Sequence, residues 1–258
     1  MTMRDTLLVP IQVEALVVNE KVRREQNFRR FQMNYNSLAE FLTPEPDPFS
    51  GGQNDFNQFS KNEGVYLHWT LPDALRNGKQ DKSGDIKFPK VPNRWLVIRS
   101  SGFNQQDQAA WVVESDYHHK EHGTVPYLNP DQHSAQQTFL GRRIPLRVWE
   151  EKKSPGHPLF LTAVGPGDLT FSAYQPQVEN VFSLHDPLSE EGIDQATLSY
   201  FVVGWYSNPD YDPLEKWKNL KQYEALLKDL KWNIEDTGCC HAKRSLYHGA
   251  VYGLQWNR

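Results

Sequence analysis

Two clusters in this chain carry the donor atoms of a metal site. Tyr117-His118-His119-Lys120-Glu121-His122 gathers three of the nine histidines. Far downstream, Cys239-Cys240-His241 places two thiols beside an imidazole, with His248 seven residues on. Thiolate and imidazole together suit Zn²⁺. The candidate ligands are therefore His118, His122, Cys239, Cys240 and His241, and a metal-dependent hydrolase is one activity they would serve. The spacing argues the other way. The usual Cys-x-x-Cys interval is missing, and adjacent cysteines rarely both reach one ion. Gly123 and Pro126 turn the histidine cluster into a loop, where His118 and His122 would not share a helix face. On that reading the clusters are polar surface loops and no cofactor is expected.

Other groups offer less. His185-Asp186-Pro187 sets an imidazole beside a carboxylate, as a general base requires, but no nucleophile accompanies it. Glu114 and Asp116 project from one side of a strand, as a solvated face would. His68, between Leu67 and Trp69, reads as a buried histidine bonded to backbone. Asn208-Pro209-Asp210-Tyr211-Asp212-Pro213 is oxygen-rich in the manner of a Ca²⁺ loop, yet Asp212 is already expected to cap a helix. Gly165-Pro166-Gly167 lacks a donor that a phosphate loop would use, because Pro166 has no N–H. The Gly-x-Ser-x-Gly, Gly-x-Gly-x-x-Gly, P-loop and His-Glu-x-x-His fingerprints are absent. Eight Trp and eleven Tyr allow a third reading, a carbohydrate-binding module, since flat rings stack on sugars. Trp69, Trp95, Trp111, Trp149 and Trp205 lie within apolar runs, and a core is the better assignment for most of them; Trp232 and Trp256 are freer.

The elements that would position these residues follow from periodicity. Residues 7–18 alternate and break at Pro10, giving one or two strands. Residues 19–42 carry Phe28, Phe31, Tyr35, Leu38 and Phe41 at helical intervals. The runs 64–70, 94–99, 110–116, 146–149, 159–164 and 198–206 read as strands, the second and third as a hairpin. Residues 71–78 make a helical turn or two with a Gly stop. Residues 117–145 read as irregular, and 168–178 as a short helix capped by Asp168. The clearest helix runs from Pro213 to Trp232, capped by Asp212 with Glu215 at the capping-box position. Leu214, Trp217, Leu220, Tyr223, Leu226, Leu227 and Leu230 form its apolar face. The final segment, 248–256, is expected to pair beside 200–206. The fold class is α+β, mainly β: antiparallel or mixed sheets with an aromatic core, long loops and one long amphipathic helix. Residues 1–258 read as a single domain, and the unfrayed last strand suggests the N-terminal module of a longer protein.

Composition narrows the partners. The net charge is -4, so no basic field exists to neutralise a phosphate backbone, and nucleic acid is not expected. Lys21, Arg23, Arg24, Arg29 and Arg30 form a local basic face. The only two cysteines are adjacent, and a disulfide between neighbours is strained, which excludes a disulfide-stapled secreted scaffold. The start carries Asp5, Gln12 and Glu14 where a signal peptide would not. No apolar run approaches the length of a membrane span. Cytoplasmic synthesis without a signal peptide is the expectation.

Three stretches add a resemblance: Gly64-Val65-Tyr66-Leu67-His68-Trp69-Thr70-Leu71-Pro72-Asp73-Ala74-Leu75, Phe88-Pro89-Lys90-Val91-Pro92-Asn93-Arg94-Trp95-Leu96-Val97, and Val178-Glu179-Asn180-Val181-Phe182-Ser183-Leu184-His185-Asp186-Pro187-Leu188. They resemble the N-terminal region of very large uncharacterised bacterial proteins, some associated with contractile injection (phage-tail-like) loci. The resemblance spans residue 64 to the end and carries no catalytic motif. It implies a non-enzymatic interaction or scaffold module of a larger bacterial protein, in the setting of a delivered effector or toxin exported by a non-classical route. Its partner would be another protein or downstream domains of the same chain.

Overall fold

The computed structural model describes residues 6–24, 62–101, 108–119, 122, 125–128, 137–151, 161–163, 179–188, 191–232 and 242–258. Strands dominate them. Thr6–Pro10 (β1), Gln12–Val18 (β2), Gly64–Thr70 (β3), Lys79–Gln80 (β4), Ile86–Lys87 (β5), Arg94–Ser101 (β6) and Ala109–His119 (β7) come first. Val125–Leu128 (β8), Gln137–Pro145 (β9), Ser183–Asp186 (β10), Gln195–Trp205 (β11) and Arg244–Asn257 (β12) follow. A seven-stranded sheet has the order β1-β12-β11-β6-β7-β9-β8, and a three-stranded sheet the order β10-β3-β2; β4 and β5 make a separate hairpin. β1 runs parallel to β12, while the other ladders among the described residues are antiparallel. The mainly β class with an aromatic core is what the strand periodicity implies, and β12 pairs with β11 as its sequence suggests.

The two sheets pack around one core and are joined by the consecutive strands β1 and β2, one in each sheet. Pro10 ends β1, and the Ile11 N–H donates to the His248 carbonyl at 2.8 Å. The chain then turns into β2 and the smaller sheet. On the opposite side, Ser115 Oγ donates to the Val181 carbonyl at 2.6 Å, and Arg143 donates to the His185 carbonyl at the edge of β10. Hydrogen-bonding groups of an edge strand are thereby used rather than exposed.

The space between the sheets is filled by rings. Trp69 of β3 meets Trp95 of β6 at 5.4 Å between centroids, and Phe182 and Tyr247 each pack on Trp95 at 6.4 Å. All four side chains are fully buried. Such pairs add about 0.5–1.5 kcal/mol each beyond the area they bury. The alternation of buried and half-buried residues in β6 and β11 follows the two-residue pleat, so Trp95, Val97, Arg99, Tyr200 and Val202 point inward.

Three sequence expectations change. The helix over Pro213 to Trp232 is divided into a 3-10 turn, Pro213–Lys216, and a ten-residue helix, Leu220–Asp229. Asp212 does cap the first piece, accepting from Leu214 N at 2.9 Å. Asn219 then caps the second, accepting from Gln222 N at 3.0 Å, and Gln222 takes the Lys218 N–H at 2.8 Å. An asparagine competes for backbone donors in this way and favours a cap over a helix interior. Residues 146–149 are a 3-10 turn rather than a strand. Conversely, β8 and β9 occupy part of the stretch read as irregular, where Gly141, Arg142 and Arg143 hide the alternation of β9. Of the helical stretch 19–42, Glu20–Arg24 is a short helix and residues 25–42 lie outside the described residues, as does the expected helix 168–178; of the expected strand 159–164, the described residues 161–163 form only an isolated bridge, Thr162 to Lys90.

Gly204 stands opposite Trp95 in the β11/β6 register. A Cβ there would lie 2.2 Å from the Trp95 ring. We expect Gly204→Ala to lower stability by about 1–3 kcal/mol, the usual cost of overpacking a core. Urea unfolding checks this through a lower midpoint at unchanged slope.

Candidate functional site

Arg99 is the inward residue that follows Trp95 and Val97 on β6, and its side chain is 4% exposed. Its Nη1 donates to both oxygens of Asp186 on β10, at 2.9 and 3.0 Å, and so links the two sheets. Its Nη2 donates to Glu191 Oε2 at 2.7 Å. Tyr200 on β11 donates its hydroxyl to Asp186 Oδ2 at 2.7 Å. Burial pushes the Asp186 carboxyl above its ordinary range, against the pull of the Arg99 charge and the Tyr200 bond. Burial opposes the charge on Arg99, but Asp186 and Glu191 outweigh it and raise its pKa. The Tyr200 phenol is driven far up by burial and by the Asp186 charge, so it stays a donor.

A second charged cluster lies on the opposite, outer face of the large sheet. Arg94 pairs with Asp116, and Glu114 accepts from Arg142 Nε at 2.7 Å and from Trp149 Nε1 at 3.1 Å. Asn93 Nδ2 donates to Asp116 at 2.7 Å and to Ser207 Oγ at 2.8 Å. Arg142 also stacks over Tyr117 at 3.8 Å. Glu114 and Asp116 do share a side of β7, as their spacing requires, but they are not solvated: both are held in this network, Glu114 being buried. Two cations and two carboxylates make it neutral.

The histidines diverge. His122 stacks on His119 at 4.8 Å, and its backbone N–H donates to His119 Nδ1 at 3.1 Å. His118 is one residue earlier on the strand and therefore on its other face; burial lowers its pKa, with His119 adding to the effect. Cys239, Cys240 and His241 lie outside the described residues. Among the described residues no group of three or more His, Cys, Asp or Glu is placed to hold a metal ion.

The remaining candidates are occupied elsewhere. The pleat separates His185 from Asp186: His185 stacks on Tyr66 at 4.3 Å and donates from Nε2 to the Glu63 carbonyl at 3.0 Å. His68 is half-buried rather than buried, 4.0 Å from Glu14. Asp212 gives Oδ2 to the N–H and hydroxyl of Ser245, at 2.6 and 2.9 Å, beyond its cap. Asp212 is thus committed within the fold, and Asp210 is the only other carboxylate of that loop. Trp256 is 1% exposed and donates to the Ile193 carbonyl at 2.6 Å, so it is not a free platform; Trp232 packs partly buried against the core.

Arg99 and Tyr200 form the ion-paired cluster between the sheets, and motif reading missed them. Their signal was available: Tyr200 lies between the inward residues Leu198 and Val202, and Arg99 follows the inward residues Trp95 and Val97. Scanning against protein families, curated proteins and solved structures finds no match.

Removing Asp186 leaves a buried guanidinium with one half-exposed partner. Asp186→Ala is expected to cost about 3–5 kcal/mol, and Tyr200→Phe about 1.5–3 kcal/mol, the worth of a bond to a charged group. If the cluster is a clamp, Arg99→Met with Asp186→Leu recovers much of the loss, read by thermal unfolding.

Proposed function

We propose that this chain is a non-enzymatic interaction module of a larger bacterial protein, docking a protein partner or further domains of the same chain. The supporting observation is the outer face of the large sheet. Register places Leu96 and Ile98 of β6, Phe201 and Val203 of β11, and Ile144 of β9 on that face. Each is partly exposed and none packs on the inner core. Toward β12 the face ends in Tyr252, 66% exposed, whose ring meets Phe201 edge-on at 5.4 Å; on β1 it ends in Leu8, 58% exposed. Tyr252 and Gly253 together oppose Ser199, a bulge made possible by Gly253 at φ +70°.

Contiguous apolar surface of this kind marks interaction sites on monomers. The Arg94–Asp116 and Arg142–Glu114 pairs beside it are internally neutralised, so they neither attract nor repel a partner strongly. An effector or toxin setting is what the resemblance of the three stretches implies. Those stretches supply Trp69, Trp95 and Phe182, so the resemblance tracks the core between the sheets. No helix among the described residues is long and apolar enough to cross a membrane.

The test is site-specific photocrosslinking in the cells that make the protein. A benzophenone amino acid at Tyr252, and separately at Leu8, should give a discrete adduct of the same added mass. The same probe at Glu224, exposed on the helix, should give none. Adducts that do not depend on position would remove this reading.

A further inference from the structure

Arginine offers five N–H donors in a rigid fork that grips carboxylate or phosphate through two parallel bonds. On Arg99 that fork is used unevenly. Nη1 serves both oxygens of Asp186, and Nη2 serves one oxygen of Glu191. The Nε–H is buried and has no hydrogen-bond partner. The edge formed by Nε and Nη2 thus holds one oxygen where a planar oxyanion would supply two. Leaving a charged N–H buried and unmatched is costly.

The two carboxylates also differ in how they are held. Asp186 is sealed, with its side chain 0% exposed, and is fixed by Tyr200. Glu191 comes from the turn after β10, outside the ladders, and its side chain is 40% exposed. The site carries one cation against two carboxylates. Releasing Glu191 leaves a neutral Arg99–Asp186 pair, and an incoming anion restores the original charge count.

We propose that Arg99 is an oxyanion-binding residue whose Nε/Nη2 edge takes a small carboxylate or phosphate group, and that Glu191 occupies this edge as an internal stand-in. Binding exchanges the Glu191 contact for two bonds from the ligand. A tethered carboxylate competes at an effective concentration in the millimolar range, so the wild-type chain binds such anions feebly and loss of Glu191 unmasks the site.

The experiment follows the arginine Nε–H resonances of the ¹⁵N-labelled full chain in wild type, Glu191→Ala and Glu191→Gln. Inorganic phosphate and acetate are titrated separately, with chloride holding ionic strength constant. Arg99→Lys assigns the Arg99 signal by its disappearance. The Arg99 Nε–H is expected to move saturably in both variants, with half-saturation about tenfold or more below that of wild type. The Arg142 Nε–H, already bound to Glu114, should stay in place. Response to phosphate alone or to acetate alone assigns the ligand class. No saturable movement in any variant, or equal movement of Arg99 and Arg142, overturns the proposal; Glu191→Gln keeps the test valid if Glu191→Ala does not fold.

Discussion

The contact of Trp95 with Gly204 sets the spacing of everything else. A tryptophan on β6 can lean across the neighbouring strand only because β11 has no side chain at that point. The indole then reaches Trp69 and Phe182, which belong to the smaller sheet and its approach, and Tyr247 on β12. One ring thereby touches residues from both layers. Remove the hole beneath it and the distance between sheets must change, along with every ion pair that crosses the gap.

The Arg99–Asp186 bond is the most demanding of those crossing contacts. Hydrophobic packing tolerates small displacements, whereas a guanidinium facing two carboxylate oxygens at 2.9 and 3.0 Å does not. Desolvation of both groups makes the pair a poor source of net stability. Its effect is on register: β6, β10 and β11 must be placed so that Arg99, Asp186 and Tyr200 coincide. Asp212 does the same at the other end of the sandwich, tying the 3-10 turn to Ser245 at the start of β12.

How much of this was legible in the sequence depends on whether a signal was local. The inward alternation of Trp95, Val97 and Arg99, or of Leu198, Tyr200 and Val202, is local, and so are the Pro10 break and the Asp212 cap. The strand β9 was obscured because Arg142 and Arg143 occupy opposite faces for unrelated reasons. Arg142 meets Glu114 across the sheet, and Arg143 reaches the β10 edge. Glu114 and Asp116 were legible as one face but not as a buried one, because their partners lie on β6 and β9. The helix divides where two capping signals compete: Asp212 opens the first piece, while Asn219, with Gln222 three residues on, opens the second inside an apolar periodicity that reads as continuous. The histidine cluster shows the strand pleat at work. Its residues are adjacent in sequence, but a strand sends neighbours to opposite faces, so proximity along the chain separated His118 from His119.

The two arginine clusters show why charge alone does not make a site. Arg94 and Arg142 face two carboxylates that also accept from Trp149 and Asn93, so cation and anion counts match. Arg94 Nε looks toward Glu114 at 3.8 Å, and there is no surplus to exchange. Arg99 differs in two respects at once: a second carboxylate beyond what neutrality requires, and a half-exposed carrier for it. A purely structural clamp needs neither of these, since Asp186 and Tyr200 suffice to join the sheets. The excess carboxylate is explained if the guanidinium edge is a receptor and Glu191 is the group that fills it when nothing else does.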